Sequence, residues 1–565
     1  MAIVTLRGPL GNALEKTIIN RLKKVNCKAM VDPFRFRSEK DFRWRCEFWG
    51  KVVRSMILAW KHSGDQELLQ IIQDTVRDII STQTPDGCIS SYPEELQLRE
   101  WDLWGRKYVL SGLYRYYEMI DQDPIVLRAA LNMVAHMKKQ LEENNRRLID
   151  TGNHFGLAVA SILGVLVRLY RVSNDKNCLE LADSVVNNGA CHLHNIYIAA
   201  EDNVPPAQIS NGKAYEMTSC FEGLCEYLKI RPNVTLRKSA LNYYQQVLER
   251  EIFITGGGGL KDEMGEFWYD GALRQTSDRA GKLGETCVTT TWLHYCSEIL
   301  NMTEDSRVAD EMERSFYNAL LGAMHPVGDT WMHINPTPLA GSSYRTKARD
   351  QMRDFPGHDC CLAQGPEGLA MSPEFTFKTS EKGFFINGYE NATINFQTPS
   401  GQQAEINITG NYPVQGNVNI SMNMTDDEEF AIFLRIPAWS EKTTVIVNGE
   451  KMVAEPGQYL ELRKCWKNET QIELQLNMTL KVVRDPGGRD YFAVKRGPLV
   501  LAQDSRFTTV GSPVILPEKL EGEISAGKDV MMCCKIGNAL LCDFASAGNY
   551  FTPSNTLQVW FKENL

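Results

Sequence analysis

The chain has no surplus of positive charge. Its 61 lysines and arginines are outnumbered by 70 aspartates and glutamates, a net charge of −9, so it lacks the basic footprint that nucleic acid or an anionic membrane surface selects. Neither a nucleic-acid nor a membrane partner is expected. No uninterrupted apolar run approaches bilayer-spanning length. The first residues, MAIVTLRGPLGN, have neither the apolar core nor the small-residue cleavage site of a secretory signal. As written, the chain is expected in the cytoplasm, although a trimmed secreted or periplasmic protein would look the same. Its 15 cysteines are an odd number, scattered from Cys27 to Cys542 with no CxxC doublet and no framework spacing. They read as reduced thiols rather than a disulfide scaffold. A fixed-period repeat is also missing, which argues against a solenoid.

What is present suits a large soluble enzyme. A chain of 565 residues, 43% hydrophobic and 23% charged, can bury a substantial core and divide into two or more domains. Its character changes near residue 373. Before that point KVVRSMILAWKH, ELLQIIQDTVRDIIS, KYVLSGLYRYYEMI and IVLRAALNMVAHMKKQL place apolar residues at i, i+3, i+4 and i+7, the stripe of amphipathic helices. Repeated long helices with short polar turns suggest an α/α toroid. After residue 373 the period falls to two, in TINFQ, QAEINITG, VNISMNM and TTVIVNGE, punctuated by Gly, Asn and Pro. This is strand sequence of sandwich type. A second strand block begins near 481 and contains VMMCCKIG, whose Cys533 and Cys534 read as packing. The expected organisation is a helical domain over 1–373, a β-sandwich over 374–480 and a shorter β-sandwich over 481–565.

The residues most suited to chemistry are four possible metal donors. Glu285 and Cys287 lie in GKLGETCVTTTW, and Cys360 and Cys361 are adjacent in GHDCCLAQGPEGL, just before a Gly-Pro-x-Gly segment expected to turn. Thiolates and carboxylates are ligands that Zn²⁺ accepts, and four of them close a tetrahedral site. A metal-bound thiol is deprotonated and so a nucleophile at neutral pH. Spacing alone favours the plainer reading, a chance pair of buried cysteines.

Taken in order, ITGGGGLKDEMGEFW, GETC, MERSFYNALLGAM, DCC, LRIPAW, TTVIVNGE and FAVKRGPLVLA resemble the β-L-arabinofuranosidases of glycoside hydrolase family 127 and its relatives. The resemblance covers about residues 20 to 505. It implies an (α/α)6 barrel followed by β-sandwich modules, a bound zinc, and an oligosaccharide substrate. It also implies that Cys360 is the nucleophile, with Glu285, Cys287 and Cys361 completing the zinc set. Its thioglycosyl intermediate would then be resolved by water with retention.

Retaining glycosidases need a nucleophile on one side of the anomeric carbon and an acid/base on the other. The resemblance gives the second role to Glu266, in MGEFWYDG, with Glu263 as a rival because the frame is imperfect. Such a carboxyl is expected to have its pKa raised towards neutrality, and Phe267, Trp268 and Tyr269 could wall it in or be ordinary core. His358 and Asp359 read as turn residues. Two positions where the family has histidine are occupied by Lys107 and Lys213, and Glu216, Tyr215 and His154 are further candidates near the sugar. For each, a solvated lysine or a satisfied core side chain is an equal reading.

The sequence therefore points to a retaining exo-acting glycoside hydrolase, releasing a terminal β-L-arabinofuranose or related sugar from plant-type oligosaccharides. If both lysines reach the pocket, the sugar is expected to be acidic or to sit beside an acidic one. An α/α-toroid epimerase or lyase, and a sugar-binding protein with a structural zinc, are the alternatives. The oligomeric state is left open.

Overall fold

The structure, a computed structural model, describes residues 2–41, 43–259, 266–277, 284–338, 359–516 and 520–563. The striped segments form helices that close into a ring. Its inner helices are Phe48–Ser63, Asp102–Met119, Leu163–Ser173, Ala214–Leu228, Thr286–Thr303 and Cys360–Ala370, each packed on the next and the last on the first. Outer helices Gln66–Ile80, Pro124–Glu143, Lys176–Asn187, Val234–Arg250 and Ser306–Arg314 each follow and back their inner partner. Pro9–Asn20 backs Cys360–Ala370, so the first helix of the chain completes the last pair. This is the (α/α)6 barrel expected.

The turns between paired helices are written in the sequence. Gly64, Asn174 and Glu304 adopt the left-handed conformation that ends an inner helix. The next residue, Asp65, Asp175 or Asp305, caps the outer helix by accepting a first-turn N–H at 2.9 Å. Asp123 and Asn233 cap the other two outer helices in the same way. Each cap contributes about 1 kcal/mol. The helical stretch His154–Ser173 is long and apolar enough to cross a membrane by composition alone, more than the sequence reading allowed, and 72% of its most apolar window is buried inside the protein. Its apolar side chains fill the barrel wall.

The strand segments build two facing sheets. One has seven strands in the order Ile3–Leu6, Ala392–Gln397, Gln403–Gly410, Asn417–Met424, Thr470–Gln475, Thr444–Val447 and Glu450–Met452. Its first strand comes from the amino terminus, with Val4 opposite Ile394. The other has four strands and one parallel pairing, Phe385 opposite Phe433. Alternating burial along Thr470–Gln475 shows which face meets the core. From Leu480 onwards a third sheet forms, and Cys533 and Cys534 are buried in its Cys533–Ile536 strand.

A buried ionic knot ties barrel to sandwich. Arg435, 0% exposed on a sandwich strand, pairs with Asp310 and Glu313 of the outer helix Ser306–Arg314. Tyr412 Oη and Trp439 Nε1 also donate to Glu313.

Candidate active site

Two helix N-termini bring the thiols together. Cys360 and Cys361 are the first residues of the inner helix Cys360–Ala370, and Cys287 is the second residue of Thr286–Thr303, which Glu285 immediately precedes. Asp359 caps the former, its Oδ1 accepting the Leu362 N–H at 2.8 Å. The Gly-Pro-x-Gly segment is helical, not a turn. At Gly365 a β-carbon would lie 2.4 Å from the Trp331 ring, so glycine lets this helix approach closely enough to bury both thiols. Helix N-termini carry partial positive charge, which favours thiolate over thiol.

Glu285 is fixed by its backbone. Its N–H donates to Gly258 O at 3.0 Å, and it pairs as an isolated antiparallel bridge with Ile334. The bridge also delivers His333, whose carbonyl faces the Thr286 N–H. The Cys361 sulfur lies 3.5 Å from Cys287 Sγ, 3.6 Å from His333 Nδ1, 3.8 Å from Glu285 Oε1 and 3.9 Å from Cys360 Sγ. Cys360 Sγ lies 4.0 Å from both Glu285 Oε1 and His333 Nδ1. Donors of one tetrahedral zinc stand about 3.8 Å apart when both are thiolates and about 3.6 Å when one is nitrogen or oxygen, as follows from bond lengths near 2.3 and 2.1 Å. Glu285, His333, Cys360 and Cys361, whose ligand atoms all lie within 4.8 Å of one another, come close to those spacings, and Cys287 joins them through Cys361.

The electrostatics also suit a cation. Glu285 is 0% exposed and its Oε2 has no hydrogen-bond partner among the described residues. Burial, then Glu266 and Cys360, push its carboxyl far above the usual range. Cys360 is raised chiefly by its contact with Cys287, and Cys361 by burial. Burial alone would raise Cys287, but its contacts with Cys360 and Cys361 and the charge of Lys51 bring it below the ordinary thiol range. Ionising several of these thiols and the carboxyl together in one buried site is costly without a compensating charge. A zinc ion fits this donor set.

Beside the thiols lies a second cluster. Lys213 immediately precedes the helix Ala214–Leu228 and is bridged to Phe267, with Ala214 N–H donating to Glu266 O at 2.7 Å. This pairing sets Glu266 against the lysine, and Lys213 Nζ donates to Glu266 Oε2. The same ammonium lies 3.8 Å from Glu216 Oε1, which in turn is 4.0 Å from His154 Nε2. Glu216 Oε2 is buried without a hydrogen-bond partner among the described residues. Glu266 and His154 have left-handed φ of 63° and 55°, the backbone strain that clusters at functional sites.

Burial would raise the Glu266 carboxyl, but Lys213 outweighs it and holds the group below the usual range. This is opposite to the expected direction, and the cause is the lysine. Burial brings Glu216 up to about 7 against the pull of Lys213. His154, pushed down to about 4 by burial and by Lys213, is neutral at physiological pH. Of the aromatic trio, Trp268 and Tyr269 are buried core, whereas Phe267 lies beneath Lys213 Nζ at 5.2 Å and edges the His154 ring. Tyr215 is turned into the core, donating to Gln364 Oε1 at 2.7 Å. Glu263 and His358 lie outside the described residues.

Lys107 makes no hydrogen bond or ion pair to this cluster among the described residues. Its Nζ lies 4.4 Å over Trp104 and 4.7 Å over Tyr108, and it lines a pocket with Arg54, Arg168 and Glu222. Two residues near the thiols were not singled out from sequence. Lys51, paired with Glu47 Oε1 at 2.9 Å, stands 4.8 Å over the Tyr215 ring. A clue existed in the i, i+4 spacing of Glu47 and Lys51. His333 has no sequence signal, since only the bridge to Glu285 places it.

Comparison with known proteins agrees with this arrangement. The family model described as beta-L-arabinofuranosidase, GH127 catalytic domain, matches residues 11–374, and its GH127 middle domain matches residues 383–478. A non-reducing end beta-L-arabinofuranosidase of Bifidobacterium longum subsp. longum is 22% identical over 545 residues, covering 87% of this chain and 80% of that protein. A GH127 beta-L-arabinofuranosidase from Geobacillus stearothermophilus T6 superposes with a TM-score of 0.77 at 17% identity, over 99% of this chain and 100% of that one. A second GH127 beta-arabinofuranosidase structure gives 0.79 at 15% identity, over 99% and 96%.

Proposed function

The chain belongs to the GH127 beta-L-arabinofuranosidase family and is a glycoside hydrolase, and from that premise we propose that it removes a terminal β-L-arabinofuranose with retention, using Cys360 as nucleophile. The observation that carries this reading is the packing of Cys287, Cys360, Cys361 and Glu285 at two helix N-termini, next to the Lys213–Glu266 pair. Glu285, Cys287, Cys360 and Cys361 would hold a zinc ion. Zinc, when bound, keeps these thiols ionised at neutral pH.

The residues then divide the work. Cys360 Sγ forms a bond to the anomeric carbon as the bond to the leaving oxygen breaks, and that oxygen takes a proton. Glu266 and Lys213 share a hydrogen bond, so the pair, not the carboxyl alone, carries the proton. In the second half, Glu266 accepts a proton from the water that displaces Cys360, restoring both groups. Retention follows from two displacements at one carbon. Glu216 and the neutral His154 imidazole offer hydrogen bonds to sugar hydroxyls.

The sugar is neutral on this reading. Lys213 already has two carboxylates for partners, so it has no charge to spare for an acidic sugar, and Glu216 would repel one. A panel of aryl glycosides tests the assignment. Fastest release is expected from the β-L-arabinofuranoside, with the β-anomer as first product by NMR. A faster carboxylated furanoside, or an α-anomer as first product, would refute it.

A further inference from the structure

The thiol cluster holds one donor more than a tetrahedral zinc takes. His333 Nδ1 lies 3.6 Å from Cys361 Sγ and 4.0 Å from Cys360 Sγ, and it falls with Glu285 and both of these thiols in a group whose ligand atoms are all within 4.8 Å of one another. Its side chain is 5% exposed. Resting on the zinc reading above, we propose that His333 is a metal ligand through Nδ1, so that Cys360 is the one donor the site can lose and still hold its ion.

Three observations converge. The imidazole reaches the thiols on the same backbone bridge that places Glu285, so its position is fixed by main-chain pairing and not by a flexible arm. Its spacings to the sulfurs match the edges of a zinc tetrahedron as well as those of Glu285 do. Glu285, His333 and Cys361 belong to one mutually close group and Cys287 touches Cys361 at 3.5 Å, so four donors remain when Cys360 is set aside. A nucleophilic thiol has to bond carbon, and a ligand that leaves a four-coordinate site normally weakens it. With His333 in the set, Cys360 is free for the sugar.

X-ray absorption at the zinc edge of the zinc-loaded protein tests this directly. Outer-shell scattering of an imidazole ring is expected, and it should vanish in His333→Phe. Metal competition gives a second measurement. Cys360→Ser should keep about one zinc per chain, as a four-ligand site does. The double variant Cys360→Ser, His333→Phe should bind zinc at least about a hundredfold more weakly than Cys360→Ser, because loss of an outer-shell partner alone costs 10–100-fold. Zinc bound without imidazole scattering, or equal zinc affinity in the single and double variants, would overturn the inference and leave the three-thiol reading standing. Wild-type protein that takes up no zinc would overturn both.

Discussion

Replacing Lys107 with methionine should remove a penalty that depends on pH. This lysine is 6% exposed, and burial, partly offset by Glu222, pushes its ammonium down to about 7. In the unfolded chain a lysine holds its proton to about 10.4. Between those two values the unfolded state binds more protons, so stability rises with pH there. At pH 7 and below the full penalty is present. From pH 7 to pH 9 it should shrink by about 2–3 kcal/mol, at about 1.4 kcal/mol per pH unit. The contacts of Nζ over Trp104 and Tyr108 at 4.4 and 4.7 Å favour the charged form, which makes that figure an upper value. Methionine has similar length and no charge, so the variant lacks this component. Urea unfolding of both proteins at pH 6, 7 and 9 isolates it. The wild type should gain on the variant steadily above pH 7, and a difference that is flat or falls with pH would refute the placement of Lys107 as a desolvated ammonium.

Glu313→Ala should cost about 3–5 kcal/mol by leaving Arg435 buried with only Asp310, read as a fall in the thermal midpoint; a midpoint within a degree of wild type would contradict the lock between barrel and sandwich. Glu266→Gln should slow poor leaving groups far more than good ones, because the proton matters most there. Equal losses across a series of aryl leaving groups would remove Glu266 from that role.

The helices were legible from their apolar stripe and the closed barrel from the resemblance, and the turns between them carry a further local signal that was not used. A left-handed residue followed by a capping aspartate, as in Gly64-Asp65 or Asn174-Asp175, states both the end of one helix and the start of the next. The donor set of Glu285, Cys287, Cys360 and Cys361 came from the family resemblance, since the spacing of the thiols alone favoured a chance pair. What depended on pairing between distant segments was not legible. Ile3–Leu6 joins the sandwich only through its register with Ala392–Gln397, His333 reaches the thiols only through the Glu285–Ile334 bridge, and the partner of Glu266 is set by the Lys213–Phe267 bridge. The Gly-Pro-x-Gly segment misled because its glycine serves close packing on Trp331 within a helix, not a reversal of the chain.

Cys360 as nucleophile is the central claim, and a mechanism-based label tests it most directly. A cyclitol epoxide of β-L-arabinofuranose configuration presents an electrophilic carbon where the anomeric carbon sits. After incubation with the zinc-loaded enzyme, peptide mass mapping should find one adduct per chain on Cys360, with loss of activity in step with labelling and protection by L-arabinose. An adduct on Glu266, on Glu216 or on Cys361 would contradict the account.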